Sequence, residues 1–157
     1  MLASLKRNLV PLGFWASLFL FGSNITQNTG GGVLAWSNGS TSYSTCPCFF
    51  APGGSAGGGA TDAAVNVGAP NAGTISSMYV TNSTAPGTGN SITYTWRKNA
   101  ASQTLTCTIS GSSAKTCNDI THSFSMIQGD LLDIEATTTG VPSTASTAIL
   151  VEYRTVN

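Results

Sequence analysis

The chain has 157 residues, only 8% of them charged, and its six basic and six acidic side chains give a formal net charge of zero. That length suits one domain with a real core. The charge excludes a phosphate-tracking surface, because beyond residue 30 the basic residues are Arg97, Lys98, Lys115 and Arg154, scattered along the chain.

The first segment is apolar. Lys6 and Arg7 precede a run over residues 9–22 that includes Phe14, Trp15, Leu18, Phe19, Leu20 and Phe21. Three readings stay open. A retained hydrophobic arm would pack on a partner through Phe14, Trp15, Leu18, Phe19 and Phe21. A signal peptide would have this basic start and apolar centre. A membrane anchor would need about 20 apolar residues, and this run is shorter and contains Pro11. Residues 24–32 are polar and glycine-rich, as a linker would be. The expected organisation is therefore an arm with linker over 1–32 and a folded body over 33–157.

Strands are predicted at 33–36 and 43–50, which bring together Trp36, Tyr43, Phe49 and Phe50. Aromatic residues dominate cores and interfaces, so this cluster is read as core or subunit contact, with stacking on a sugar as the alternative. Between them and the next strands, Gly53, Gly54, Gly57, Gly58 and Gly59 mark a surface loop. No Lys-Ser/Thr or helix follows, so they do not cradle phosphate. Strands follow at 63–67 and 74–81, joined by a turn over 68–73.

The stretch 86–135 is the most regular. Ile92, Tyr94 and Trp96 alternate with Thr93, Thr95 and Arg97, the period of a half-buried strand. Leu105, Cys107 and Ile109 repeat it. Gly111, Ser112 and Ser113 then form a turn, after which 115–117 heads back along the preceding strand. Centring that turn on Ser112 sets Cys107 opposite Cys117 and predicts a disulfide across the hairpin, with two buried thiols as the alternative. Further strands at 121–127, 131–138 and 147–153 are separated by turns at 128–130 and 140–143, as 86–90 and 99–102 separate earlier ones. About nine short strands with no helix between them indicate an all-β fold, an antiparallel β-sandwich.

Chemistry-bearing residues are few. Cys46 and Cys48 are one residue apart, so they share a strand face and their pairing stays open; zinc pairs sit two to four residues apart. His122, the single histidine, lies inside an alternating strand with no nucleophile assembled around it, so neither an enzyme nor a bound cofactor is expected. Asp119, Asp130, Asp133 and Glu135 could supply oxygen ligands to calcium, but Asp130 follows Gly129 as a turn residue does, and Asp133 and Glu135 alternate with Leu132 and Ile134. Arg97-Lys98 could grip an acidic partner or close a strand before the Asn99 turn. Asn24, Asn38 and Asn82 head glycosylation-like triplets in a chain rich in Ser and Thr.

Several motifs occur in a familiar order. They are Ala85-Pro86-Gly87-Thr88-Gly89-Asn90, Tyr94-Thr95-Trp96-Arg97-Lys98-Asn99 and Leu105-Thr106-Cys107-Thr108-Ile109, followed by Thr116-Cys117-Asn118-Asp119, Thr121-His122-Ser123 and Gln128-Gly129-Asp130-Leu131-Leu132. In this the chain resembles a jelly-roll domain of phage structural proteins, similar in shape to the C1q and tumour necrosis factor-like heads of bacterial collagen-like surface proteins. The resemblance covers residues 73–153. It departs from the bacterial heads in lacking a Gly-X-Y stalk, and residues 1–50 fall outside it. It implies a jelly roll that trimerises and coats or binds a surface.

The expected function is accordingly a non-enzymatic virion protein, a capsid decoration, cement or fibre-head subunit. Its partners would be capsid or other virion proteins and further copies of itself, without nucleic acid. The alternative is a secreted or cell-surface bacterial adhesin, a carbohydrate-binding head whose apolar run is removed and whose partner is a surface glycan.

Overall fold

The computed structural model describes residues 31–50 and 65–155. The predicted hydrophobic arm, with Phe14, Trp15, Leu18, Phe19 and Phe21, lies outside the described residues, as does the glycine-rich stretch 52–59. Within them the strands are β1 (Gly31–Thr41), β2 (Cys48–Phe50), β3 (Val67–Gly68), β4 (Gly73–Asn82), β5 (Gly87–Lys98), β6 (Ala101–Gly111), β7 (Thr116–Met126), β8 (Leu131–Thr139) and β9 (Ala145–Thr155), with one 3-10 turn at Tyr43–Thr45.

These strands form two antiparallel sheets packed as a sandwich. The first runs β1-β9-β4-β7 and the second β2-β8-β5-β6, with β3 also paired to β8. Leaving the two-residue β3 aside, the eight strands are divided between the sheets in the order of a double Greek key, which is the jelly-roll arrangement. β2 and β3 lie one after the other on the same edge of β8: Cys48 faces Ala136 and Phe50 faces Ile134, then Val67 faces Leu132 and Gly68 faces Leu131. The chain thus leaves that edge at Phe50 and rejoins it at Val67.

Period-two alternation builds the core. Trp36, Ile75, Met78, Val80, Ile149 and Val151 face inward from the first sheet; Ile92, Tyr94, Trp96, Leu105, Ile109 and Ile134 do so from the second. Trp36 meets Trp96 edge-on across the layers, ring centroids 4.8 Å apart, and Trp96 meets Phe124 at 5.7 Å. Burying side chains of this size is the main stabilising term of the domain.

Turns gather at the two ends of the sandwich and bond to one another. At one end Ser143 N–H donates to Pro86 O and Ser83 N–H to Ser146 O. There Asn90 closes the β8–β9 turn, accepting from Val141 N–H at 3.1 Å and donating to Val141 O at 3.0 Å. Gly140, at φ +72°, lets this carboxamide in, since a Cβ there would lie 2.1 Å from Asn90 Oδ1. At the other end Ala69 N–H donates to Asp130 O, and Asn99 N–H to Leu131 O.

Two expectations are corrected. The predicted strand over 43–50 is a 3-10 turn at Tyr43–Thr45 followed by the three-residue β2. Pro47, which has no N–H to give a ladder, stands at the point where the chain passes from the first sheet to the second. The return of 115–117 along its predecessor is the larger correction. β6 takes its hydrogen bonds from β5, where Cys107 is opposite Tyr94, whereas β7 takes its own from β4, where Cys117 is opposite Val80. The turn after Gly111 therefore changes sheets, and the physical reason is burial. Leu105, Cys107 and Ile109 on one strand, and Phe124 and Met126 on the other, must cover the same core from opposite sides.

Candidate functional site

The β6–β7 seam is where the chain concentrates covalent and charged chemistry. Cys107 and Cys117 are bonded, their Cα atoms 5.7 Å apart, so the predicted disulfide forms, but between the sheets rather than across a ladder. Two residues on, Asp119 is buried. Its Oδ2 accepts the Thr106 N–H of β6 at 3.1 Å, and its Oδ1 accepts the N–H groups of Thr121 and His122, each at 3.1 Å, and the Thr121 hydroxyl at 3.0 Å. The seam is thus held by one disulfide and one carboxylate. Burial pushes the Asp119 carboxyl upward, but the Thr106 N–H, the His122 ring and the Thr121 and His122 N–H groups outweigh it. They hold the group well below the usual carboxylate range.

Nothing in the sequence pattern singled Asp119 out beyond its being a carboxylate. The signal that could have found it is Asp119-Ile120-Thr121-His122, a carboxylate placed to accept the N–H groups two and three residues on. It sits at a register shift: Ser76 faces Ser123 while Met78 faces Asp119, so β7 carries extra residues between them.

His122 is beside this carboxylate. Its Nδ1 lies 2.9 Å from Asp119 Oδ2, and its side chain is 54% exposed. An Asp–His pair orients an imidazole, yet among the described residues no serine, threonine or cysteine is hydrogen-bonded to the other ring nitrogen. The arrangement ties the histidine to the bulge.

Asp130 is held at its turn, whereas Asp133 and Glu135 both lie by Arg97. Asp130 accepts from Ile127 N–H at 2.9 Å and Asn99 Nδ2 at 2.7 Å. These two bonds, with the nearby Lys98 charge, hold it below its ordinary value against the effect of burial. Glu135 pairs with Arg97 at 3.8 Å, and Asp133 is opposite Arg97 in the β5–β8 register. Among the described residues, no group of three or more His, Cys, Asp or Glu side chains converges as metal ligands would. Arg97 also donates to Ala100 O and lies over the Phe49 ring, 5.0 Å from its centroid. Lys98 donates to Ser125 O. The Arg97-Lys98 pair thus serves the strand end and its surroundings.

The aromatic cluster is internal. Trp36, Tyr43, Phe49 and Phe50 are all buried within the chain, so they offer a partner little surface to cover. Tyr43, Phe50 and Tyr94 pack together with centroids 6.3–6.5 Å apart. Their polar tips meet in a buried network, in which Tyr94 donates to Asn82 Oδ1 at 2.9 Å, Thr147 does likewise at 2.9 Å, and Tyr43 is bonded to Thr147. Burial first, and then the Tyr43 phenol, pushes the Tyr94 ionisation far up, so Tyr94 is a neutral donor. Cys46 and Cys48, whose pairing the spacing left open, are bonded to each other at the turn leading into β2.

What remains outward are two sheet faces of different character. On the second sheet, Thr93 faces Thr108 and Thr137, and Ser91 faces Ser110 and Thr139, which tiles the surface with hydroxyls; Thr93 and Thr108 are bonded at 2.8 Å. On the first, Ala35, Leu150, Tyr79 and Asn118 make one cross-strand row. Leu150 and Tyr79 are 46% and 47% exposed, and Val33, next on β1, is 57% exposed.

In comparison with known proteins, the sequence matches no family model, and no curated protein matches it significantly. Fold and surface therefore carry the functional argument.

Proposed function

We propose that this protein is a non-enzymatic structural component of a virion, a capsid decoration, cement or fibre-head subunit. In this reading the N-terminal region docks on the shell or on a neighbouring subunit while the jelly roll is displayed. The observation that carries it is the jelly-roll strand order of residues 31–155, the architecture that the ordered motifs of 73–153 imply through their resemblance to phage structural domains. Two further features support it: part of the second sheet's outer face, around Ser91, Thr93, Thr108 and Thr137, is tiled with hydroxyls, and low charge suits close packing between subunits. A fold is shared by many functions, so the reading stands on this combination.

The test is to purify virions and count the chain by mass spectrometry. A fixed, stoichiometric number of copies is expected, and deletion of residues 1–25 should leave a folded body that no longer attaches. A chain missing from virions and found in culture medium without its first residues would overturn the proposal. That outcome belongs to the second reading, a secreted or surface adhesin head. Its support is the pair of disulfides, Cys46–Cys48 and Cys107–Cys117, which persist in oxidising surroundings. Specific binding on a glycan array would mark it.

A further inference from the structure

Each sheet of a sandwich ends in two edge strands, and an edge is a row of unpaired N–H and C=O groups that another chain can pair with. Three of the four edges here are managed by the fold. β6 and β7 lie against each other, joined by the Cys107–Cys117 bridge and by Asp119 accepting the Thr106 N–H. The edge formed by β2 and β3 is cut into pieces of three and two residues.

β1 is different. It is eleven residues long, ends the first sheet, and among the described strands pairs with β9 alone. From Gly31, opposite Arg154, to Ser37, opposite Ala148, its register runs without a shift, and the one irregularity comes later, between Ser37 and Ser40. Its sequence contains neither charge nor proline, the two residue classes that usually blunt an edge. Beside this edge lies the apolar row of the first sheet, Ala35, Leu150 and Tyr79, while the exposed Val33 is opposite Glu152 of β9.

We infer that β1 is a self-association edge, where β1 of one copy pairs antiparallel with β1 of a second copy and joins two four-stranded sheets into one of eight strands. A second copy fits because the strand is self-complementary. No register of 31–37 against itself sets like charges opposite one another, and the outward side chains Val33, Ala35 and Ser37 are small or β-branched. The two apolar rows, one from each copy, then lie on the same face of the joined sheet. Such a contact is isologous and closes on itself, so it builds pairs of chains. It does not depend on the virion reading, and it differs from the trimer that the jelly-roll resemblance implies.

The experiment uses the full chain. Light scattering over a concentration series should give a mass twice that of the 16.0 kDa chain, and amides of 31–37 should gain hydrogen-exchange protection as concentration rises. The double variant Ala35→Lys/Ser37→Lys, at positions whose β9 partners are Leu150 and Ala148, sets four cations at the junction and should weaken association about tenfold or more. Thr108→Lys, on the other sheet, should leave the mass unchanged. Thermal midpoints of all variants check folding, since these side chains lie outside the core. A monomer at every concentration would overturn the inference. So would a trimer that Ala35→Lys/Ser37→Lys leaves intact, or association lost on deleting residues 1–25 but kept in the double variant.

Discussion

Asp119 shows how much one short side chain can organise. By accepting N–H groups from Thr106, Thr121 and His122 it satisfies donors on two strands that belong to different sheets. Its folded-state ionisation is held below the unfolded value. The stability it contributes is therefore fully present above the unfolded carboxylate value of about 4 and is lost as the pH falls from there towards the lower folded value. Urea unfolding between pH 7 and pH 2 should show this loss at the acid end. Asp119→Ala should cost about 2 kcal/mol at pH 7, because it leaves backbone donors without an acceptor, and should flatten the acid slope. Equal acid slopes in the two proteins would show that other carboxylates govern it.

At the scale of elements, the β5–β6 hairpin combines a strong pairing with a poor turn residue. Lys98 faces Ala101 across a two-residue loop in which Asn99 and Ala100 have φ of 52° and 65°. Both central positions of such a turn require positive φ, where asparagine is tolerated and alanine meets its own carbonyl. The Asn99 side chain compensates, bonding Asp130 in the β7–β8 turn and Leu131 at the start of β8. Ala100→Gly should therefore stabilise the protein by roughly 0.5–1 kcal/mol, the relief of strain less the extra backbone entropy of glycine. A raised urea midpoint with unchanged slope is the expected record. This turn was legible from Asn99, whereas the one expected at 86–90 lies at 83–86, because 87–90 already belong to β5. The 3-10 turn at Tyr43–Thr45 was less legible, since the apolar and aromatic residues around it read equally well as a strand, and the passage between sheets makes the difference.

For the whole molecule, the decisive feature is that β6 and β7 are neighbours in sequence and space but lie in different sheets. Their disulfide closes an eleven-residue loop from Cys107 to Cys117 and joins the two layers along one side of the sandwich. Replacing both by alanine should lower stability by about 3 kcal/mol, chiefly by loosening the unfolded chain, and denaturant unfolding under non-reducing conditions measures it. The effect should exceed that of losing the Cys46–Cys48 link, which closes a much shorter loop.

Period-two alternation, turn residues and the shortage of helix formers determined the class of this fold from sequence alone. They also fixed which of Ile92, Tyr94, Trp96, Leu105 and Ile109 face inward, because strand geometry alone sets the side on which each Cβ emerges. The Cys107–Cys117 bridge was legible too, since a short turn brings equidistant residues together whichever sheet receives the returning strand. Tertiary structure decided the rest. Only the packing of two layers assigns β7 to β4, buries Asp119 at the seam and turns Trp36, Tyr43 and Phe50 inward. The same packing sets β1 at the end of its sheet, paired among the described strands with β9 alone. These outcomes depend on partners distant along the chain, and local periodicity carries no record of which strand will lie alongside.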